Sequence, residues 1–206
     1  LADGAPGPDS ALCLRDGGAT AHRAGNERWA VGDEGWLRFR HSQRLAGDHQ
    51  IDTVIVPRGD LHLRAHRIVL APGAEGVGAL EGPPPLGYDA GDTPSSGEQG
   101  GWQWATVGGR TVAILGVSGY SDSLPAAAWH GRADLNSVYG EFLLPLLAAD
   151  ALQPRHELIC LVYSGPSGAD LNTLARLLSE ARWQTDGSFA LRWADGGELV
   201  VPALGE

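Results

Sequence analysis

Residues 50–70 (QIDTVIVPRGDLHLRAHRIVL) restrict the fold more than any other stretch, because they read as strand, turn and strand in immediate succession. Residues 51–56 are apolar and rich in β-branched side chains, which pack well on a pleated surface. Pro57, Arg58, Gly59 and Asp60 form a turn signal: Pro presets its own φ, and Gly accepts the left-handed backbone. Residues 61–70 then read as strictly alternating. Successive side chains on a strand point to opposite faces, so Leu61, Leu63, Ala65 and Val69 share one face while His62, Arg64 and His66 share the other. Arg67 falls on the apolar side and has to reach its rim or find a partner. One hairpin therefore carries a greasy face and a row of cation-capable side chains.

Around this hairpin the chain reads as more strands. Thirty Gly and thirteen Pro in 206 residues imply many turns, as in an all-β protein. Short strands are expected at residues 11–15, 20–24, 28–31 and 36–41, with Trp36, Arg38 and Arg40 alternating with Leu37 and Phe39. Residues 102–107 and 110–117 flank Gly108 and Gly109, a pair suited to a primed two-residue turn. Residues 133–152 are Leu-rich, but Gly140 and Pro145 interrupt them, so they read as mostly extended. Residues 156–163 read as a buried strand, and residues 189–193 with 198–202 as a closing hairpin.

A single helix is expected over residues 168–183, where Leu171, Leu174, Leu177, Leu178 and Ala181 form one stripe. Ser167 would cap it, with Asp170 three residues on. Residues 82–101 have no apolar period and many breakers; a mobile loop is favoured over a domain boundary. Residues 1–10 read as a linker. The fold expected is all-β: one antiparallel, supersandwich-like β-sandwich over residues 11–206, with one short helix near the C-terminus.

Charge and cysteine content remove several classes of function. A net charge of -10 opposes polyanions, so neither nucleic acid nor an anionic membrane is expected as a general partner. All fifteen basic residues are Arg, which reads as genome composition first. Cys13 and Cys160 each sit in an apolar run and read as reduced core residues, with a disulfide as the alternative. No cysteine or histidine spacing suits zinc, and no metal or cofactor is expected. No apolar run reaches the roughly twenty residues of a membrane helix, and no signal peptide is visible. The compartment stays open on that basis, with the cytoplasm favoured. The absence of any Met suggests a domain of a longer protein.

The common catalytic motifs fail. Gly116 with Ser118 and Gly119, and Gly165 with Ser167 and Gly168, are each one residue short of a nucleophile elbow. His62 and His66 invite a metal, yet four residues of strand separate them by about 13 Å. What remains is electrostatic. Arg58, His62, Arg64, His66 and Arg67 fall within ten residues of an acidic protein. They read either as a solvated or inter-domain face paired with carboxylates, or as a site for an anionic or polyhydroxylated ligand. Trp102 and Trp104 lie two apart on a strand and share a face, which serves core packing or stacking on sugar rings. Asp134 and Asn136 read as turn residues, and Tyr120, Tyr139 and Tyr163 as unselected proton donors.

Taken together, residues 51–57, residues 61–68, and Ala133, Asp134, Leu135 and Asn136 with the later Leu144, Pro145 and Leu146 resemble one family. It is the C-terminal domain of the bacterial and fungal family called domain of unknown function 2264. Two stretches depart from its pattern, at residues 76–79 and 133–136. The resemblance implies a two-part protein: an N-terminal α/α toroid followed by this β-sandwich, similar to heparinase-like and alginate-lyase-like polysaccharide lyases. It implies an accessory domain that completes a cleft for an acidic polysaccharide, inactive alone, with the toroid as partner. By that analogy His62 or His66 would assist proton transfer and Arg64 would neutralise the substrate carboxylate, with Arg67 a further candidate for ligand binding. Two further readings stay open: a non-catalytic carbohydrate-binding module using Trp102 and Trp104, and a purely structural inter-domain scaffold.

Overall fold

The structure is a computed structural model. It describes residues 13–16, 19–20, 22–23, 28–44, 47–72, 77–81, 86–87, 89, 91–119, 128–132, 137–145 and 155–205, with side chains from residue 28 onward except in 77–81, 128–132 and 137–145. In chain order the first strands are β1 (Cys13–Asp16), β2 (Ala19–Thr20), β3 (His22–Arg23), β4 (Arg28–Val31), β5 (Leu37–Arg44), β6 (Asp48–Arg58) and β7 (Leu61–Val69). Then come β8 (Val77–Glu81), β9 (Leu86–Gly87), β10 (Ser95–Gln99), β11 (Trp102–Val107), β12 (Arg110–Ser118), β13 (Ala128–Arg132), β14 (Ser137–Pro145) and β15 (Arg155–Pro166). The last part holds α1 (Leu171–Ala175), β16 (Leu178–Trp183), β17 (Phe189–Trp193) and β18 (Glu198–Val201).

Every pairing is antiparallel, and the architecture is an all-β sandwich. The nine-stranded sheet runs β10-β11-β12-β15-β7-β6-β5-β3, with β4 beside β3 on the outer edge of β5. A six-stranded sheet contains β13-β14-β8-β1-β2, with β9 on β14. A three-stranded sheet, β16-β17-β18, forms a further layer.

The hairpin at residues 50–70 lies in the interior of the large sheet. Arg58 pairs with Leu61 across a two-residue turn in which Gly59 has φ +61°, and β15 adds on the far side of β7. Its apolar side meets the three-stranded sheet. Val54, Val56, Leu61, Leu63, Ala65, Leu161 and Trp102 form one core with Trp183, Phe189, Leu191, Trp193 and Val201. At about 25 cal/mol per Å² of apolar surface removed from water, this shared core is the main reason the small sheet stays on the large one. On the opposite face of the large sheet, Leu86 of β9 packs on Ala105, Val107 and Val112 of β11 and β12.

The β11–β12 turn has φ +56° at Gly108 and +73° at Gly109, the primed geometry expected there. Residues 137–145 are extended, also as expected. Two stretches differ from expectation. The helix expected over 168–183 stops after five residues: Asp170, not Ser167, caps it by accepting from Asn172 N and Thr173 N, and residues 178–183 pair with β17 instead. The apolar set was consistent with helical spacing, yet Leu174, Leu177, Leu178 and Ala181 all still pack on the core. A strand partner in β17 outweighed a local period that fitted either element. The second difference is β10, inside the segment read as a loop. It pairs with β11 across Gly100 and Gly101, both at positive φ. An edge strand exposed on both sides needs no apolar alternation, so SSGEQ carries none.

Candidate functional site

The alternation of β7 places His62, Arg64 and His66 on one face, and register extends that face across the sheet. Arg64 pairs with Ile55 on β6 and Cys160 on β15; His66 pairs with Thr53 and Leu158. His41 lies opposite Ile51, His49 opposite Gln43, and His156 opposite Ile68. Five of the seven histidines of the chain thus share one face of the nine-stranded sheet.

The row is internally bonded. Arg64 Nε donates to His62 Nε2 at 3.1 Å, so that nitrogen keeps its lone pair and the ring carries its proton on Nδ1. His66 Nδ1 and Thr53 Oγ1 are 2.9 Å apart. Gln43 Nε2 lies 2.9 Å from His41 Nε2, and Ala71 N donates to His49 Nδ1 at 3.0 Å. Burial pushes the pKa of His49 and of His156 down, because a charged imidazole would lose its hydration.

The expected sidedness is present; the expected openness is not. Arg64 is 1% exposed, His66 is fully buried and His62 nearly so. Alternation along a strand says which residues share a face and is silent on what covers it. Here the large sheet is covered on both sides, so its polar face is interior as well. In this arrangement the row bonds within β5 and β7 and, at Thr53 and His66, between β6 and β7, and does not present itself to a ligand from solvent.

Trp102 and Trp104 also share a face, as their spacing dictates, but it is the apolar one. Trp102 has no exposed surface and sits in the main core; Trp104 is half-buried against it. Gly97 makes room for the Trp104 ring, since a Cβ there would stand 2.8 Å from it. Neither indole offers an open platform for a sugar. Arg67 finds the partner its position demanded: it donates to Glu157 at 3.2 Å and to Gln184 O at 3.0 Å, 4.5 Å above the Trp183 ring. Arg58 reaches Asp195 and lies 4.6 Å over Trp193.

Arg38 was read only as the polar half of an alternating strand, and it is fully buried. Its Nε and Nη2 fork the Asp52 carboxylate at 2.9 and 2.7 Å. Nη1 donates to Pro202 O at 2.6 Å and Nη2 to Gly187 O at 2.8 Å, beneath the Trp183 ring. Arg40 gives Asp52 a second cation at 3.0 Å. An Asp set in the apolar run 51–56 was the available signal. A carboxylate in that position needs a buried cation.

Other candidates are quickly placed. Tyr163 OH donates to Pro166 O at 2.7 Å, and burial with nearby Asp60 holds its pKa above the usual phenol value. Cys160 is fully buried on β15. Tyr120, Asp134 and Asn136 lie outside the described residues, as do the side chains of Cys13 and Tyr139. Among the described residues no group of three or more His, Cys, Asp or Glu side chains is placed to hold a metal ion. A shallow groove of about 160 Å³ crosses the outer face of the three-stranded sheet, flanked by Arg182, Arg192, Glu180 and Glu198. Arg182 pairs with Glu180 and Arg192 with Glu198, so the groove offers no net positive charge to a polyanion. No helix among the described residues is long and apolar enough to cross a membrane.

The sequence matches no protein-family model, and no curated protein is similar to it. Its fold is similar to part of a solved structure, the heparan sulfate lyase HepC from Pedobacter heparinus, with a TM-score of 0.55 and 14% identity. The likeness covers 96% of this chain and 30% of that one. The chain therefore spans less than a third of that lyase, and what the two share is the β-sandwich fold.

Proposed function

We propose that this chain is the accessory β-sandwich of a carbohydrate-active, polysaccharide-lyase-like protein, paired with an α/α toroid that holds the cleft for an acidic glycan. The observation that carries the reading is the shared fold: nearly the whole chain follows a segment making up 30% of a heparan sulfate lyase. The resemblance of residues 51–57 and 61–68 to domain of unknown function 2264 points to the same two-part layout.

Within this reading the His62, Arg64 and His66 row is given a supporting role. A general acid or base has to lie within hydrogen-bond reach of the proton it moves, and these side chains are enclosed, with Arg64 donating to His62 and His66 paired with Thr53. The sandwich supplies a rigid wall, and proton transfer belongs to the partner domain. The glycan-binding alternative through Trp102 and Trp104 is disfavoured because Trp102 is buried in the core and Trp104 packs half-buried against it.

The test is an assay of the full-length parent on a panel of uronate-bearing polysaccharides, following absorbance of the unsaturated product. Turnover of at least one acidic glycan is expected. With His66→Gln, activity should fall only as far as folded protein is lost, leaving kcat per folded molecule unchanged. A parent that cleaves none of the panel and has no toroid would overturn the reading.

A further inference from the structure

We propose that the β4 edge of the nine-stranded sheet, through Trp29 and Val31, is the surface on which this sandwich docks against the other domain of its own polypeptide. The inference rests on the two-part reading above and adds the place of contact and its chemistry.

Trp29 is 68% exposed and Val31 59%, on a strand whose other side is firmly held. All four β4 residues are in register with β5, and Ala30 packs on the main core. Arg28 Nη1 donates to Gly205 O at 2.7 Å, and the turn that follows is closed by Gly32 N to Trp36 O at 3.1 Å. Gly32 is needed there, because a Cβ would stand 2.0 Å from the Trp36 indole. A strand this well anchored presents its two apolar side chains in a fixed position, which is what a permanent contact requires.

Register puts Trp29 and Val31 on the face shared by Phe39, the face that is covered farther into the sheet. At β4 itself both side chains are exposed. The opposite edge, β10, reads SSGEQ and shows water only polar side chains and Gly. Natural sheets blunt their free edges with polar or charged residues, as β10 does; a strand with no outer partner among the described residues that carries Trp and Val departs from that habit.

Chain length and charge point to the occupant. In the similar lyase the shared fold accounts for 30% of the chain, so most of that polypeptide lies beyond the sandwich. Exposed Asp33 and Glu34 follow the apolar pair, so the docking surface is an apolar strip with Lys or Arg at its rim.

The experiment uses the full-length parent with Trp29→Ser, and Val200→Ser as the control. Val200 is 57% exposed on the outer face of the three-stranded sheet. Trp29→Ser should lower the parent's melting temperature by about 3 °C or more and speed proteolysis between the domains, with Val200→Ser near wild type. In the 206-residue chain alone, Trp29→Ser should leave the melting temperature unchanged. An equal fall in the isolated chain would make Trp29 a residue of the sandwich's own stability and overturn the proposal. So would a concentration-dependent dimer of the isolated chain, or glycan binding by it, that Trp29→Ser abolishes. If the parent cleaves acidic glycans and Trp29→Ser changes neither melting nor proteolysis, the docking inference fails and the function stands.

Discussion

The two faces of the nine-stranded sheet each enclose an arginine, and they hold it differently. On the apolar face Arg38 is gripped by a carboxylate, two backbone carbonyls and an indole, and those carbonyls belong to the three-stranded sheet. On the other face Arg64 donates to an imidazole in a row of histidines. The first arrangement joins two layers and depends on a fixed counter-charge. The second bonds Arg64 to His62 within β7, on a face that also holds His49 and His156, whose pKa values burial lowers. One face is therefore sensitive to loss of a partner, and the other to acid.

The largest expected effect breaks the first face. Asp52→Ala leaves Arg38 buried without its carboxylate and should cost about 3–5 kcal/mol in urea unfolding. Replacing Arg38 and Asp52 together by Met and Leu should recover most of that. If the single and double variants were equally unstable, packing rather than charge would be the cause. A smaller loss is expected on the second face. Thr53→Val keeps the volume but removes the hydroxyl bonded to His66, for about 1–3 kcal/mol by the same measurement.

The smallest effect separates the faces by pH. Burial lowers the pKa of His49 and His156, so the folded state resists protonating them and the unfolded chain binds more protons. Their contribution is complete above the ordinary imidazole value near 6.5 and falls as pH drops below it. His49 Nδ1 also accepts from Ala71 N, a bond that a protonated ring cannot make. His49→Gln, which keeps an acceptor, should flatten the stability profile between about pH 6.5 and 5. A profile identical to wild type would remove His49 as a source of the acid sensitivity.

Turn chemistry and strand alternation were legible in the sequence. Gly59, Gly108 and Gly109 marked hairpins that form where expected, and the sidedness of residues 61–66 is as read. The number of layers was not. A polar row on a strand ordinarily faces water, and only a sheet covered on both sides makes it interior; no local pattern in residues 61–69 encodes that. Residues 178–183 failed for a related reason. Leu174, Leu177, Leu178 and Ala181 suit a helix stripe, and the choice of strand from residue 178 on rests on β17, where Trp193 pairs with Leu178 and Leu191 with Ala181. Arg38 was hidden because its carboxylate lies fourteen residues on, across a strand pair. Among the described residues, Trp29 and not Trp102 or Trp104 is the indole that the fold leaves exposed.

Exchange of the imidazole C2 hydrogens for deuterium, read peptide by peptide in the 206-residue chain, tests the enclosure of the histidine row most directly. His41, His62 and His66 should exchange much more slowly than in the urea-unfolded chain. Exchange of His62 and His66 at the unfolded rate under native conditions would mean that the row is open to solvent, and the supporting role assigned to it would be wrong.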